Sequence, residues 1–131
     1  MAHKNLFLLC VLAVWAVACT PRENTVSLAA QQRWEALISG NLEQAYQFYT
    51  KAFQQATPLT RFRQQIHGTG LWNKAKVENV NCVADTERCT VDVKISVSLR
   101  MAGLSEPVET SDVVQETWIR DGWFSDWRYI K

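Results

Sequence analysis

Residues 89–101 alternate apolar and polar almost without a break, and this run constrains the fold more than any other part of the chain. Cys89, Val91, Val93, Ile95, Val97, Leu99 and Met101 fall on one side, and Thr90, Asp92, Lys94, Ser96, Ser98 and Arg100 on the other. A helix would scatter these two sets around its circumference, whereas a strand sends each to its own face. The run therefore predicts a half-buried antiparallel strand with one wet face. Asp92, Lys94 and Arg100 place charge on that outer face. Residues 73–82 predict a preceding strand, with Cys82 and Cys89 bracketing the turn VADTER. Further on, Asp121-Gly122 is a strong two-residue hairpin signal, joining a strand of 108–120 to a final strand of 123–130.

Upstream the period is helical. Asn24 or Thr25 can cap a helix over 26–39 whose stripe is Ala30, Trp34, Leu37 and Ile38, with Gly40 as its stop. Asn41, with Gln44 three residues on, opens a second helix burying Leu42, Ala45, Tyr46, Tyr49 and Phe53. Thr57-Pro58 opens a third, with Leu59, Phe62 and Ile66 inward, and His67-Gly68-Thr69-Gly70 ends it. Three helices followed by four strands predict an α+β fold, with the helices laid on one face of an antiparallel sheet.

The register of the last hairpin follows from its two-residue loop. Arg120 pairs with Trp123, Trp118 with Ser125, Glu116 with Trp127, and Val114 with Tyr129. Glu116, Trp118, Trp123, Trp127 and Tyr129 then share a face, which the three indoles assign to the interior. Trp118, Trp123, Trp127 and Tyr129 are the expected lining of any cavity there. Glu116 would be a carboxylate at its edge, either an acid or base raised by desolvation or a partner of Arg120.

The amino terminus reads differently. Lys4 precedes an unbroken apolar run, Leu6 to Ala18, that ends in Ala16-Val17-Ala18-Cys19. Thirteen apolar residues suit a signal peptide and fall short of the roughly 20 needed to span a bilayer. The expected organisation is a signal at 1–18, Cys19 and a short tether to 25, and one domain over 26–131. A retained anchor is the rival reading. The AVAC segment resembles the bacterial lipoprotein signal, although Ala16 stands where leucine is usual and A-x-A cleavage would cut the same bond. That resemblance implies diacylglyceryl and acyl (palmitate-type) modification at Cys19, attachment to the bilayer, and the outer membrane facing the periplasm where there are two membranes. Cysteine pairing agrees: in an exported chain Cys82 and Cys89 can join as a cross-strand disulfide, which would leave Cys19 a lone thiol unless capped.

The composition removes several function classes. Fourteen Lys and Arg, less Lys4, balance thirteen Asp and Glu, and no basic stripe is present, which disfavours nucleic acid as a partner. Cys82 and Cys89, with six residues between them and no second pair, make poor zinc spacing, so no metal or other cofactor is expected. His67 stands alone at a helix end, where a cation suits the dipole, and a catalytic base there would lack a partner.

RWEALISGNLEQAYQFYTKAFQ, then PLTRF, then long strands ending WIRDGW, together resemble the nuclear transport factor 2-like superfamily. The resemblance covers most of residues 26–130 and implies three helices wrapped on a curved four-stranded sheet to form a cone. It does not select a function, because the superfamily holds isomerases, dehydratases, binding modules and scaffolds. The charged outer face would disfavour the sheet-to-sheet dimer common among them. The expectation is a non-enzymatic envelope lipoprotein that binds or scaffolds an envelope protein or a small apolar ligand. The alternative is a small isomerase- or dehydratase-type enzyme using Glu116.

Overall fold

The computed structural model describes residues 21–67 and 69–131. The signal assigned to 1–18 and the lipidation site assigned to Cys19 lie outside the described residues. The order is α1 (Arg22–Ile38), α2 (Leu42–Gln47), α3 (Lys51–Ala56), α4 (Leu59–Gln65), β1 (Trp72–Cys82), β2 (Arg88–Leu99), β3 (Val108–Ile119) and β4 (Arg128–Ile130). The strands form one open antiparallel sheet in the order β1-β2-β3-β4. The fold is α+β, with four helices among the described residues where the sequence predicts three. None of the described helices is long and apolar enough to cross a membrane.

α1 lies across the sheet and buries Val26, Ala30, Arg33, Trp34, Ala36 and Leu37. It begins four residues before the predicted start, with Pro21 at its cap position. Thr25 is therefore inside the helix, where its hydroxyl donates to the Arg22 carbonyl. Gly40 ends the helix at φ +76°, and the Asn41 amide reaches back to the Ala36 carbonyl at 2.9 Å. A left-handed residue at this position closes the last turn, and glycine adopts it without steric cost.

The predicted second helix is interrupted at Phe48–Thr50 and becomes α2 and α3. The cause is a contact distant in sequence. Tyr49 makes a parallel bridge to Tyr129 of β4. The Tyr129 amide donates to the Phe48 carbonyl at 2.6 Å, and the Thr50 amide donates to the Tyr129 carbonyl at 3.3 Å. Thr50 then caps α3 by accepting from the Phe53 amide. The helix yields one turn so that β4, otherwise an edge, is paired on both sides.

β1 and β2 pair from Trp72 to Cys82, with register shifts at Trp72/Lys74 and Val77/Asn79. Extra residues of this kind bend the strand that carries them. Cys82 and Cys89 face each other in register and are joined by a disulfide. On β2 the alternation behaves as expected up to Ile95. Beyond it the strand ends at Leu99, which is exposed, as is Met101. The helices cover only the half of the sheet that carries Cys89 to Ile95, so the inward face of the other half emerges into solvent.

The β3–β4 register departs from expectation. Trp118 pairs with Tyr129, Thr117 with Ile130 and Ile119 with Arg128. A hairpin closed at Asp121-Gly122 would need Arg120 opposite Trp123. Instead the Arg120 amide donates to the Glu87 carbonyl at 3.1 Å, and its guanidinium pairs with the Glu87 carboxylate. The strand assigned to 123–130 is reduced to Arg128–Ile130. A tight turn forms later, with the Ser125 amide donating to the Gly122 carbonyl at 3.0 Å.

Candidate functional site

The interior is organised around a charge pair. Arg33 comes from the buried stripe of α1 and Glu116 from the inward face of β3, and they are 5% and 2% exposed. Their side chains meet at 2.6 Å between Nη1 and Oε1. The Trp34 indole donates to the same oxygen at 2.7 Å, and the Trp118 indole donates to Oε2 at 2.9 Å. Arg33 also donates to the Tyr49 hydroxyl at 2.8 Å. Its guanidinium carbon lies 4.0 Å from the centre of the Tyr129 ring, 5.0 Å from Tyr49 and 5.3 Å from Trp34. The cation thus sits in an aromatic cage, where each such contact is worth roughly 0.5–2 kcal/mol. Among the described residues, Arg33 Nε is buried without a hydrogen-bond partner.

This arrangement bears directly on Glu116. A general acid or base has to reach its substrate, directly or through one water. Glu116 is sealed beneath α1, and its oxygens already accept three charged or indole N–H bonds. It is neither at a rim nor paired with Arg120, whose guanidinium goes to Glu87. Nearby, burial pushes the Tyr129 phenol up from its ordinary value of 10.0. The Arg33 cation pulls it back, while Glu116 and Tyr49 add to the rise.

The opening lies on the uncovered half of the sheet. Trp34, Trp72, Ile95, Val97, Thr110, Asp112 and Val114 line an open apolar groove of about 280 Å³. Its floor is the edge-to-face pair Trp34–Trp72, with centroids 5.2 Å apart and planes at 80°. The buried pair holds that floor, because Trp34 cannot turn without giving up its bond to Glu116. Asp112 supplies one carboxylate, and Thr110 and Ser111 two hydroxyls, to a lining that is otherwise apolar. The groove is just below the usual range for small-molecule sites, about 300–1,000 Å³.

The other predicted residues are dispersed. Trp118 is fully buried and Trp127 is 5% exposed, its indole donating to the Thr25 hydroxyl at 2.8 Å. Tyr129 is half-buried against Tyr49 and Trp118. Trp123 is 65% exposed and lies on the outer turn, so it does not line the interior. His67 is exposed just past the end of α4, two residues beyond Gln65. Among the described residues no cluster of His, Cys, Asp and Glu could hold a metal ion. Sequence reasoning missed Arg33, although its position was signalled. Val26, Ala30, Arg33 and Leu37 fall at intervals of four, three and four, a buried stripe with a cation in it. Trp72 was also missed, because it falls one residue before the strand predicted over 73–82.

No protein-family model and no curated protein matches the sequence. Solved structures do. A SEC-C motif containing protein from Psychrobacter arcticus superposes with a TM-score of 0.63 at 11% identity, covering 86% of this chain and 62% of that one. This chain therefore spans about three-fifths of that protein's length, and at such identity the likeness is one of fold alone. A "putative polyketide cyclase" from Xanthomonas campestris pv. campestris gives a TM-score of 0.37 at 13% identity, covering 83% of this chain and 91% of that one.

Proposed function

We propose that this is a membrane-anchored envelope lipoprotein of the nuclear transport factor 2-like kind, whose domain binds a ligand or partner and does not turn one over. The observation that carries the reading is the sealed Glu116. The carboxylate on which the isomerase or dehydratase alternative depends is locked to Arg33, Trp34 and Trp118 and is 2% exposed. The apolar groove over Trp34 and Trp72, by contrast, is open to solvent. A lining of indoles and aliphatic side chains, with two hydroxyls and one carboxylate, suits a small, mainly apolar ligand, or an apolar side chain of an envelope protein. The anchor reading rests on the AVAC segment at the end of the apolar run.

Two measurements test the proposal. Cys19→Ser should release the protein from membranes on cell fractionation, and a variant as membrane-bound as the parent would sink the anchor. For the groove, the useful variant is Val114→Glu, since Val114 is already 39% exposed and should accept a charge without unfolding. Native mass spectrometry of protein gently extracted from membranes should find a bound molecule or partner on the parent and lose it in the variant. Equal loading of both would show that binding lies elsewhere.

A further inference from the structure

The turn at Gly122–Ser125 has a composition that folding alone does not explain. Its closing bond runs from the Ser125 amide to the Gly122 carbonyl at 3.0 Å, so Trp123 and Phe124 occupy the two corner positions. Corners of this kind are usually Gly, Pro, Asn, Asp or Ser, which turn the chain and remain hydrated. Here Phe124 is 105% exposed and Trp123 is 65% exposed. Leu28, 58% exposed on α1, lines the same cleft as both aromatic residues. Apolar side chains gathered at one projecting point mark a contact surface.

The location of the turn identifies what it touches. Trp127, three residues beyond Phe124, is fastened to Thr25 in the first turn of α1 at 2.8 Å, and Arg120 stacks over the Trp127 ring at 4.5 Å. The turn is thereby held beside the start of α1. Arg22 is three chain steps from Cys19, a reach of at most about 11 Å. Leu28 lies a further 9 Å or so along the helix. This end of the fold can therefore stand no more than about 20 Å from the chain position of Cys19. We propose that Trp123 and Phe124 form a second membrane contact, seated in the headgroup layer of the bilayer that holds Cys19 and fixing how the domain faces it. The inference rests on the lipid-anchor reading above. Tryptophan favours that depth, and a single turn adds apolar burial to an anchor already in place. Asp121 and Asp126 flank the tip and are exposed, which keeps the insertion shallow. The groove over Trp34 and Trp72 lies on the uncovered half of the sheet, shares no lining residue with this cleft, and stays free for a ligand.

The test uses the full chain carrying Phe124→Cys. Cys82 and Cys89 are joined, Cys10 leaves with the signal and Cys19 is acylated, so residue 124 becomes the reactive thiol. An environment-sensitive nitrobenzoxadiazole label is attached there and, in a second protein, at Lys94→Cys on the outer sheet face. Both are reconstituted into phosphatidylethanolamine/phosphatidylglycerol vesicles and floated. Nitroxide lipids should quench the label at 124 at least about threefold more than the label at 94, with a blue-shifted emission only at 124, as interfacial depth requires. Protein that floats while both labels are equally wet would overturn the membrane contact and leave the anchor standing. A label at 124 shielded from aqueous quencher but out of reach of the lipid nitroxides would mean that a protein surface covers the turn, which also overturns it. Protein that does not float would refute the anchor, and this inference with it.

Discussion

Replacing Glu116 with Gln removes one charge from the centre of the molecule and changes its shape hardly at all. Arg33 would remain 5% exposed with no anion beside it. Breaking a buried ion pair from one side costs about 3–5 kcal/mol, because the remaining charge has no compensation. Two local features refine that figure. The three rings around the guanidinium still stabilise it, which favours the lower end. Against this, an amide has one acceptor oxygen. If it serves Arg33 and Trp34, its NH2 points at the Trp118 indole N–H, which leaves a buried donor unmet at a further 1–3 kcal/mol or so. A loss of about 3–5 kcal/mol is therefore the expectation, a large share of the roughly 5–15 kcal/mol typical of a domain. Urea titration of the oxidised protein, followed by tryptophan fluorescence, should show the midpoint falling by about 2 M for a slope near 2 kcal/mol/M. The control is Glu43→Gln, which breaks the pair of Glu43 and Arg63 at 3.7 Å, both more than half exposed. That change should cost under about 1 kcal/mol. A Glu116→Gln protein whose midpoint moves no further than the control's would refute the buried pair and reopen Glu116 as an accessible carboxylate.

Trp127→Ala should lower stability by about 3–5 kcal/mol as a large-to-small change at a site 5% exposed, read by the same titration; a change under 1 kcal/mol would show that the indole is not packed. Opening Cys82–Cys89 with paired serines should cost about 2.5 kcal/mol, the chain-entropy value for an eight-residue loop, and thiol trapping of the unreduced parent should find neither thiol free. The Tyr129 phenol is held above 10.0 when folded, so above pH 10 the unfolded chain ionises first and stability falls as pH rises. Tyr129→Phe should flatten that alkaline slope in melts taken between pH 9 and 11, and an unchanged slope would assign it to another group.

The types of element were legible in the sequence because each is written in local periodicity. The period-two run of β2, the capped start of α2 and the Thr57-Pro58 opening of α4 needed no distant partner to be recognised. What escaped was set by contacts far apart in the chain. The break at Phe48–Thr50 exists because Tyr129 bridges to Tyr49, and no residue near position 49 announces it. Arg33 was passed over for a different reason. Arginine on a helix is normally solvated, so a cation within the apolar stripe reads as a surface residue until its anion is located. The sequence does place that anion, Glu116, on the inward face, but offers Arg120 of the same strand as its partner. The two belong together because neither can be buried alone.

The error in the last hairpin has its own logic. The expected register pairs Trp118 with Ser125, whereas in the structure it pairs with Tyr129, a slip of four residues. An odd slip would have turned every side chain to the wrong face, but an even one preserves the faces. Glu116, Trp118 and Tyr129 accordingly still share the interior, although the pairing that placed them there was wrong. The slip changes what happens to the residues it releases. Trp123 and Phe124, assigned to a strand, instead sit at the corners of an exposed turn. Arg120 enforces this, since its amide and guanidinium are both taken by Glu87 and cannot close a hairpin at Asp121-Gly122. A sequence that only needed to connect β3 to β4 could have used the two-residue turn that it already encodes. By diverting Arg120, the fold extends the loop and pushes two aromatic rings outward on the side where α1 begins, which is the side a lipid on Cys19 would hold against the membrane.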